Sequence, residues 1–176
     1  MEIEFVILVD EHDNELGFLE KMEAHQKALL HRAISVFIFN AKGEWLLQRR
    51  AFSKYHSGGL WTNCCCTHPF PNESNLEAAN RRLMQEMGLQ SILHELFSFS
   101  YLERLDNELT EHEFDHVFGG VSDIAPQINV NEVVDYKYIS YNDLYLDVLA
   151  NPDHYTVWFK KIVDKVQLHI LQSETK

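Results

Sequence analysis

Three consecutive cysteines, Cys64, Cys65 and Cys66, are followed two residues later by His68, inside the stretch W-T-N-C-C-C-T-H-P at 61–69. A thiol donates or accepts a proton and an imidazole nitrogen holds a metal, so this segment has the means for acid–base or metal chemistry. Free cysteine is also among the most buried residue types, and the three could equally be small core residues of a strand.

Other residues offer further chemistry. His25, His31, His68, Glu111 and Glu113 are candidate metal ligands, and three imidazoles with two carboxylates suit Zn²⁺, Mn²⁺ or Mg²⁺. A lone histidine is more often hydrogen-bonded or solvated than a ligand. Alternation along a strand puts Glu111 and Glu113 on one face, where they repel unless they share a cation or a proton. A basic set, Lys21, Arg50, Lys54 and Arg82, stands out in an acidic chain. It is either a solvated face or a phosphate site, in the second case with Glu86 placing Mg²⁺ on the phosphates.

The elements that must position these groups follow from patterning. Residues 3–10 and 15–21 read as two short strands joined at Asp13-Asn14. Residues 33–40, A-I-S-V-F-I-F-N, are nearly all apolar, as in a strand covered on both faces, and 44–50 is the return strand after the Ala41-Lys42-Gly43 turn. After Pro69 and Pro71, Asn72 or Ser74 can cap a helix over 75–87. Its Leu76, Ala79, Leu83 and Met87 share a face, and Gly88 ends it. Arg82 and Glu86 lie together on the border of that stripe. Strands are expected at 93–101, 111–121 and 133–139, a polar loop at 105–109, and helices at 140–149 and 153–171 separated by Asn151-Pro152. This order predicts an α+β fold, an α/β/α sandwich with a mixed sheet flanked by helices, in a single domain over 1–176.

The totals exclude several classes. A chain of 176 residues with 45% hydrophobic content can bury a sizeable core, and a net charge of −12 argues against nucleic-acid binding. No segment approaches the length of a bilayer span, and the acidic start M-E-I-E-F-V-I-L-V-D-E lacks a signal-peptide pattern. Adjacent cysteines offer no disulfide framework, so the chain reads as reduced and cytoplasmic.

Two resemblances sharpen this reading. Glu73 with Arg81, Arg82, Leu83, Glu86, Gly88 and Leu89 resembles a degenerate Nudix box, the helix that binds metal and hydrolyses a diphosphate. Arg82 and Gln85 stand where two of its glutamates belong, and Thr67 stands at its opening glycine. More specifically, the chain resembles the type 1 isopentenyl-diphosphate isomerases, a Nudix-fold family. The resemblance rests on E-K-x-x-A-H at 20–25, F-N-A-K-G, R-R-A-x-S-K at 49–54, W-T-N-x-x-C-x-H-P at 61–69, E-S-N with R-R-x-x-x-E-x-G, and E-x-E at 111–113. It runs from about residue 21 to residue 158. Cys64 stands where relatives usually carry serine, and His31 follows His25 one residue sooner than is usual.

The resemblance implies a Nudix-like fold and isomerisation of isopentenyl diphosphate to dimethylallyl diphosphate in isoprenoid biosynthesis. It implies Cys66 and Glu113 as the catalytic pair, and Tyr101 and Trp158 facing the substrate. It places Lys21, Arg50, Lys54 and Arg82 on the phosphates, and Glu86 as the carboxylate linked to Mg²⁺. The metal ligands become His25, His31, His68, Glu111 and Glu113. Cys64 and Cys65 become packing neighbours. The expected partner is a small diphosphate, with no nucleic acid or membrane, acting on a monomer or weak homodimer. The rivals are a Nudix diphosphohydrolase, which needs the glutamates replaced by Arg82 and Gln85, and a non-catalytic zinc module built on the cysteines and His68.

Overall fold

The structure, a computed structural model, describes residues 4–105 and 109–174. In chain order it contains β1 (Phe5–Val9), β2 (Glu15–Glu20), α1 (Lys21–Gln26), β3 (His31–Phe39), β4 (Trp45–Arg50), β5 (Trp61–Thr62) and β6 (Cys65–Thr67). There follow α2 (Asn75–Met87), β7 (His94–Arg104), β8 (Thr110–Val121), β9 (Val133–Ile139), α3 (Tyr141–Ala150), a 3-10 turn at Pro152–His154 and α4 (Val157–Glu174).

Among the described residues, all nine strands join one sheet, and β3 is its axis. The apolar run of β3 is buried almost throughout, as expected for a strand packed on both faces. Along one edge β3 pairs antiparallel with β1 at His31, with β6 at Ile34, Ser35 and Val36, and with β4 at Ile38 and Phe39. Along the other it runs parallel to β8, from His31 opposite Glu113 to Phe39 opposite Val121. A parallel pairing needs a long crossover, which the chain from β4 through α2 and β7 supplies.

Helices cover both faces, giving the expected α/β/α sandwich. Ile34, Val36 and Ile38 pack with Ala79, Leu83 and Met87 of α2. Phe37, Leu47 and Val117 pack on the opposite side with Phe159, Ile162 and Val166 of α4. Helix α2 lies where the spacing predicts. Ser74 and Glu77 form a reciprocal capping box, and Gly88 closes it in the left-handed region at φ 61°.

Among the differences from the sequence reading, three have a clear physical cause. Helix α1 was not expected: six residues are too few to show a period. It forms because the Glu20 carboxylate accepts from the backbone N–H groups of Met22 (3.0 Å) and Glu23 (2.8 Å). Strand β3 starts at His31 rather than 33, since His31 pairs with Leu8 and Glu113. Helix α4 starts at Val157 rather than 153. Tyr155 is buried beside Trp61, and the Thr156 N–H donates to the Trp61 carbonyl (3.0 Å), so β5 holds these residues extended. In the polar loop expected at 105–109, residues 106–108 lie outside the described residues. Among the described residues no helix is long and apolar enough to cross a membrane.

Candidate active site

Where β3 begins, three imidazoles converge. His25 comes from α1, His31 from the first residue of β3, and His68 from the residue after β6. Their ring centroids lie 4.7 to 5.6 Å apart. Each Nδ1 contacts a backbone carbonyl: His25 that of Lys21 (2.7 Å), His31 that of Leu29 (2.7 Å) and His68 that of Arg32 (3.0 Å). A carbonyl only accepts, so each ring carries its proton on Nδ1 and turns a bare Nε2 inward, the usual arrangement behind metal-binding histidines. Glu113 completes the group, and one ligand atom from each of the four residues lies within 4.8 Å of every other. The Nε2 of His31 is buried without a hydrogen-bond partner, and it and His68 Nε2 each stand 3.8 Å from Glu113 Oε1.

Burial, and then their mutual repulsion, holds His31 down at about 3 and His68 well below the usual imidazole range. Three neutral nitrogens and a carboxylate, one of them orphaned, fit a divalent cation. Glu111, expected as a fifth ligand, lies outside this group and reaches Glu113 through Tyr101.

That phenol sits opposite Glu113 on the β7–β8 ladder. Its hydroxyl contacts Glu113 Oε2 at 2.6 Å and Glu111 Oε2 at 3.0 Å. One hydroxyl proton cannot serve two carboxylates fully. Burial pushes Glu113 up to about 7, and burial with the Glu113 charge pushes Glu111 well above its ordinary range.

The three cysteines part company in β6. Cys64 and Cys65 are fully buried in the α2-side core. Cys66 points to the other face, where its neighbours include Trp158 of α4. Its sulfur lies 3.2 Å from Asn63 Nδ2 and 3.6 Å from Ser35 Oγ. Burial, and then the charge of Asp115, raises the Cys66 thiol far above its ordinary value, so it rests as a neutral S–H.

A cavity of about 790 Å³ collects these groups. Cys66, Tyr101, Glu111, Glu113 and Trp158 line it, and so do His25 and His68, while His31 sits behind the lining. All four expected phosphate ligands, Lys21, Arg50, Lys54 and Arg82, reach the same space. Three of them hold carboxylates: Lys21 pairs with Glu4 (2.9 Å), Lys54 with Glu132, and Arg82 with Glu86 (2.5 Å) and Glu132 (2.6 Å). The Arg50 guanidinium lies 5.1 Å over the Trp158 ring, so that aromatic face accepts a cation.

The helix α2 turns Arg81, Arg82, Gln85 and Glu86 to the cavity, one carboxylate among four side chains. Gln48 of β4 donates to Glu86 and to the Cys64 carbonyl (2.7 Å), which fixes that carboxylate. No cysteine belongs to the histidine group, so the zinc module built on 64–66 has no support. Sequence reasoning missed Ser35, Gln48, Asp115 and Glu132. Only Asp115 left a signal, because the Glu111, Glu113 alternation continues onto it.

Residues 29–159 match the NUDIX domain family. The chain is 51% identical over 161 residues to isopentenyl-diphosphate Delta-isomerase 2 of Aromatoleum aromaticum, covering 92% of this chain and 85% of that one. It is 52% identical over 155 residues to the isopentenyl-diphosphate Delta-isomerase of Pectobacterium atrosepticum, covering 88% and 87%. The crystal structure of DR0079 from Deinococcus radiodurans superposes with a TM-score of 0.77 at 20% identity, covering 92% of this chain and 98% of that one, and shares the fold.

Proposed function

The chain belongs to the NUDIX family and, within it, to the isopentenyl-diphosphate isomerases, and from that premise we propose that it converts isopentenyl diphosphate to dimethylallyl diphosphate in isoprenoid biosynthesis. One observation carries the site assignment: the Cys66 thiol and the Glu113 carboxyl, the latter 2.6 Å from the Tyr101 hydroxyl, line one cavity beside a cation-accepting indole.

The reaction adds a proton to the terminal carbon of an unactivated alkene and removes one from the methylene beyond the tertiary carbon. It therefore needs two acid–base groups, which are Cys66 and Glu113 in this reading. Tyr101, bonded to Glu113, holds that carboxyl in place and passes it a proton. Between the two transfers the substrate is a tertiary carbocation, and the Trp158 face stabilises it while the apolar wall behind excludes water. His25, His31, His68 and Glu113 would hold a divalent ion, Zn²⁺, Mn²⁺ or Mg²⁺, with Glu111 close by. Bound there, that charge holds the Glu113 carboxyl more acidic than burial alone allows.

Lys21, Arg50, Lys54 and Arg82 bind the diphosphate, and Glu86 would share a Mg²⁺ with it. Binding at this remote end positions the alkene between the acid–base groups. The chain is read as a single domain acting in the cytoplasm on a small diphosphate, without nucleic acid or membrane, as a monomer or weak homodimer.

Incubation with isopentenyl diphosphate and Mg²⁺ in D₂O, followed by NMR, tests this function. Deuterium-bearing allylic product is expected. Release of inorganic phosphate instead would transfer the assignment to a diphosphohydrolase, and an unchanged substrate would end it.

A further inference from the structure

Behind the Cys66 thiol lies a buried polar pair with no part in the reading above. Ser35 on β3 is the register partner of Cys66 on β6, so the two side chains share a face of the sheet. Asp115 is on β8, opposite Ala33, and Ser35 Oγ donates to Asp115 Oδ2 at 2.7 Å. Both are almost wholly buried, at 3% and 2% exposure. The other oxygen, Asp115 Oδ1, has no partner, so this carboxyl is held in the core at a cost and its one described side-chain bond is to Ser35.

The directions of these bonds have a consequence. Ser35 has one hydroxyl proton, and it is committed to Asp115. Toward the sulfur 3.6 Å away its oxygen therefore offers lone pairs alone. On the sulfur's other side stands the Asn63 amide: its Nδ2 donates to the sulfur (3.2 Å) and is anchored to the Cys65 carbonyl (2.8 Å) and the Val36 carbonyl (3.2 Å), and its Oδ1 accepts from the S–H at 3.3 Å. The S–H therefore has two acceptors, Asn63 Oδ1 and the Ser35 oxygen, with the Asn63 N–H held against the sulfur, and this set leaves it few orientations. Without the carboxyl, the Ser35 hydroxyl is free to turn its own proton onto the sulfur, reversing the bond.

We propose that Asp115 and Ser35 are positioning residues for Cys66: the buried carboxyl fixes the Ser35 hydroxyl, and that hydroxyl fixes the direction in which the thiol faces the alkene. This rests on Cys66 being an acid–base group of the isomerase. Neither residue touches the diphosphate end, so their loss changes turnover and not substrate capture.

The test compares S35A, D115L and D115N with wild type in steady-state isomerisation of isopentenyl diphosphate, alongside the Raman S–H stretching band that C66A deletes. S35A and D115L are expected to lower kcat by about 10- to 100-fold, the scale of a misaligned reacting group, with KM within about twofold. Each should also shift the Cys66 S–H band. D115N, which keeps an oxygen for the Ser35 hydroxyl, is expected to recover most of the D115L loss and the wild-type band. A thermal melt on each variant identifies a folding defect, and because S35A removes a single oxygen it retains the test if D115L unfolds. The proposal is overturned if folded S35A keeps wild-type kcat, if its kcat falls while the S–H band stays in place, or if KM carries the loss. An inactive wild-type protein would remove the isomerase reading itself, a result distinguishable from all of these.

Discussion

The two ends of the cavity are built on opposite plans. At the histidine end, three rings are tied to backbone carbonyls of α1, the following turn and β3; His25 and His31 are buried and His68 is partly exposed. The four ligand atoms there already lie within 4.8 Å of one another. At the other end, long cationic side chains are paired with Glu4, Glu86 and Glu132, with several partners partly exposed. An anion binding there would have to displace or share those pairs. One end is preorganised by backbone, the other neutralised by side chains, and this is the division expected when one fixes reacting atoms and the other supplies binding energy.

The largest effects should come from the groups between the two ends. Cys66→Ala and Glu113→Gln are each expected to lower kcat by at least about 10³-fold while the protein stays folded. Cys64→Ser and Cys65→Ser, on the α2 side, should keep turnover within about twofold and lose roughly 1–3 kcal/mol of stability as buried hydroxyls. An impaired C64S enzyme alongside a competent C66A enzyme would show that the wrong thiol has been chosen.

Next in size is the histidine end. Chelation should abolish turnover and lower Tm, and a divalent ion at 100 times its Kd should restore about 2.7 kcal/mol. The ion should leave the melting of a His31→Ala variant nearly unchanged, and it should still stabilise Arg82→Met. Equal loss of the ion's effect in both variants would mean that the two ends are not separate sites.

At the cation end, Arg82→Met and Lys54→Met are expected to raise KM for isopentenyl diphosphate by about 10- to 100-fold, as charge-assisted hydrogen bonds of about 1.5–3 kcal/mol are lost. Their kcat should fall less, and rising salt should mimic them in the wild type. A kcat collapse at unchanged KM would contradict the division of labour.

The smallest effect concerns acid. Burial favours the protonated form of Glu132, but its bonds to Lys54 and Arg82 outweigh this and hold its carboxyl below the ordinary range. A depressed pKa stabilises the fold above the unfolded value of 4.5 and loses that contribution as pH falls through the folded value. Because the Glu132 side chain is a quarter exposed and solvent screens its pairs, the contribution is under about 1 kcal/mol. Glu132→Gln should flatten the fall in stability measured below pH 4.5 by that amount, and an unchanged slope would remove the carboxylate from the account.

Much of this was legible in the chain. Two periods suffice for the main elements: the apolar run of β3 and the i, i+3, i+4 stripe of α2 describe local burial, and burial of that kind is written in residue order. The starts of β3 and α4 moved because contacts distant in sequence hold them, whereas α1 rests on a local cap. Val157 begins α4 because Thr156 is bonded to Trp61, and α1 exists because of a carboxylate cap rather than a period. The residues expected at the site were recognised as motifs, and their chemistry follows from their types.

What residue types could not convey was direction. Cys64, Cys65 and Cys66 are alike in sequence, and only the pairing of β6 with β3 turns Cys66 toward the cavity and Cys65 into the core. The same register sets Ser35 beside Cys66 and Asp115 beside Ser35, and it takes Glu111 out of the four-residue group that His25, His31, His68 and Glu113 form. The sequence by itself determined the fold class, the family and the kinds of group available. Which thiol, which nitrogen and which carboxyl meet was decided by tertiary structure, because a sheet places neighbours by strand register, and register joins residues that the chain holds tens of positions apart.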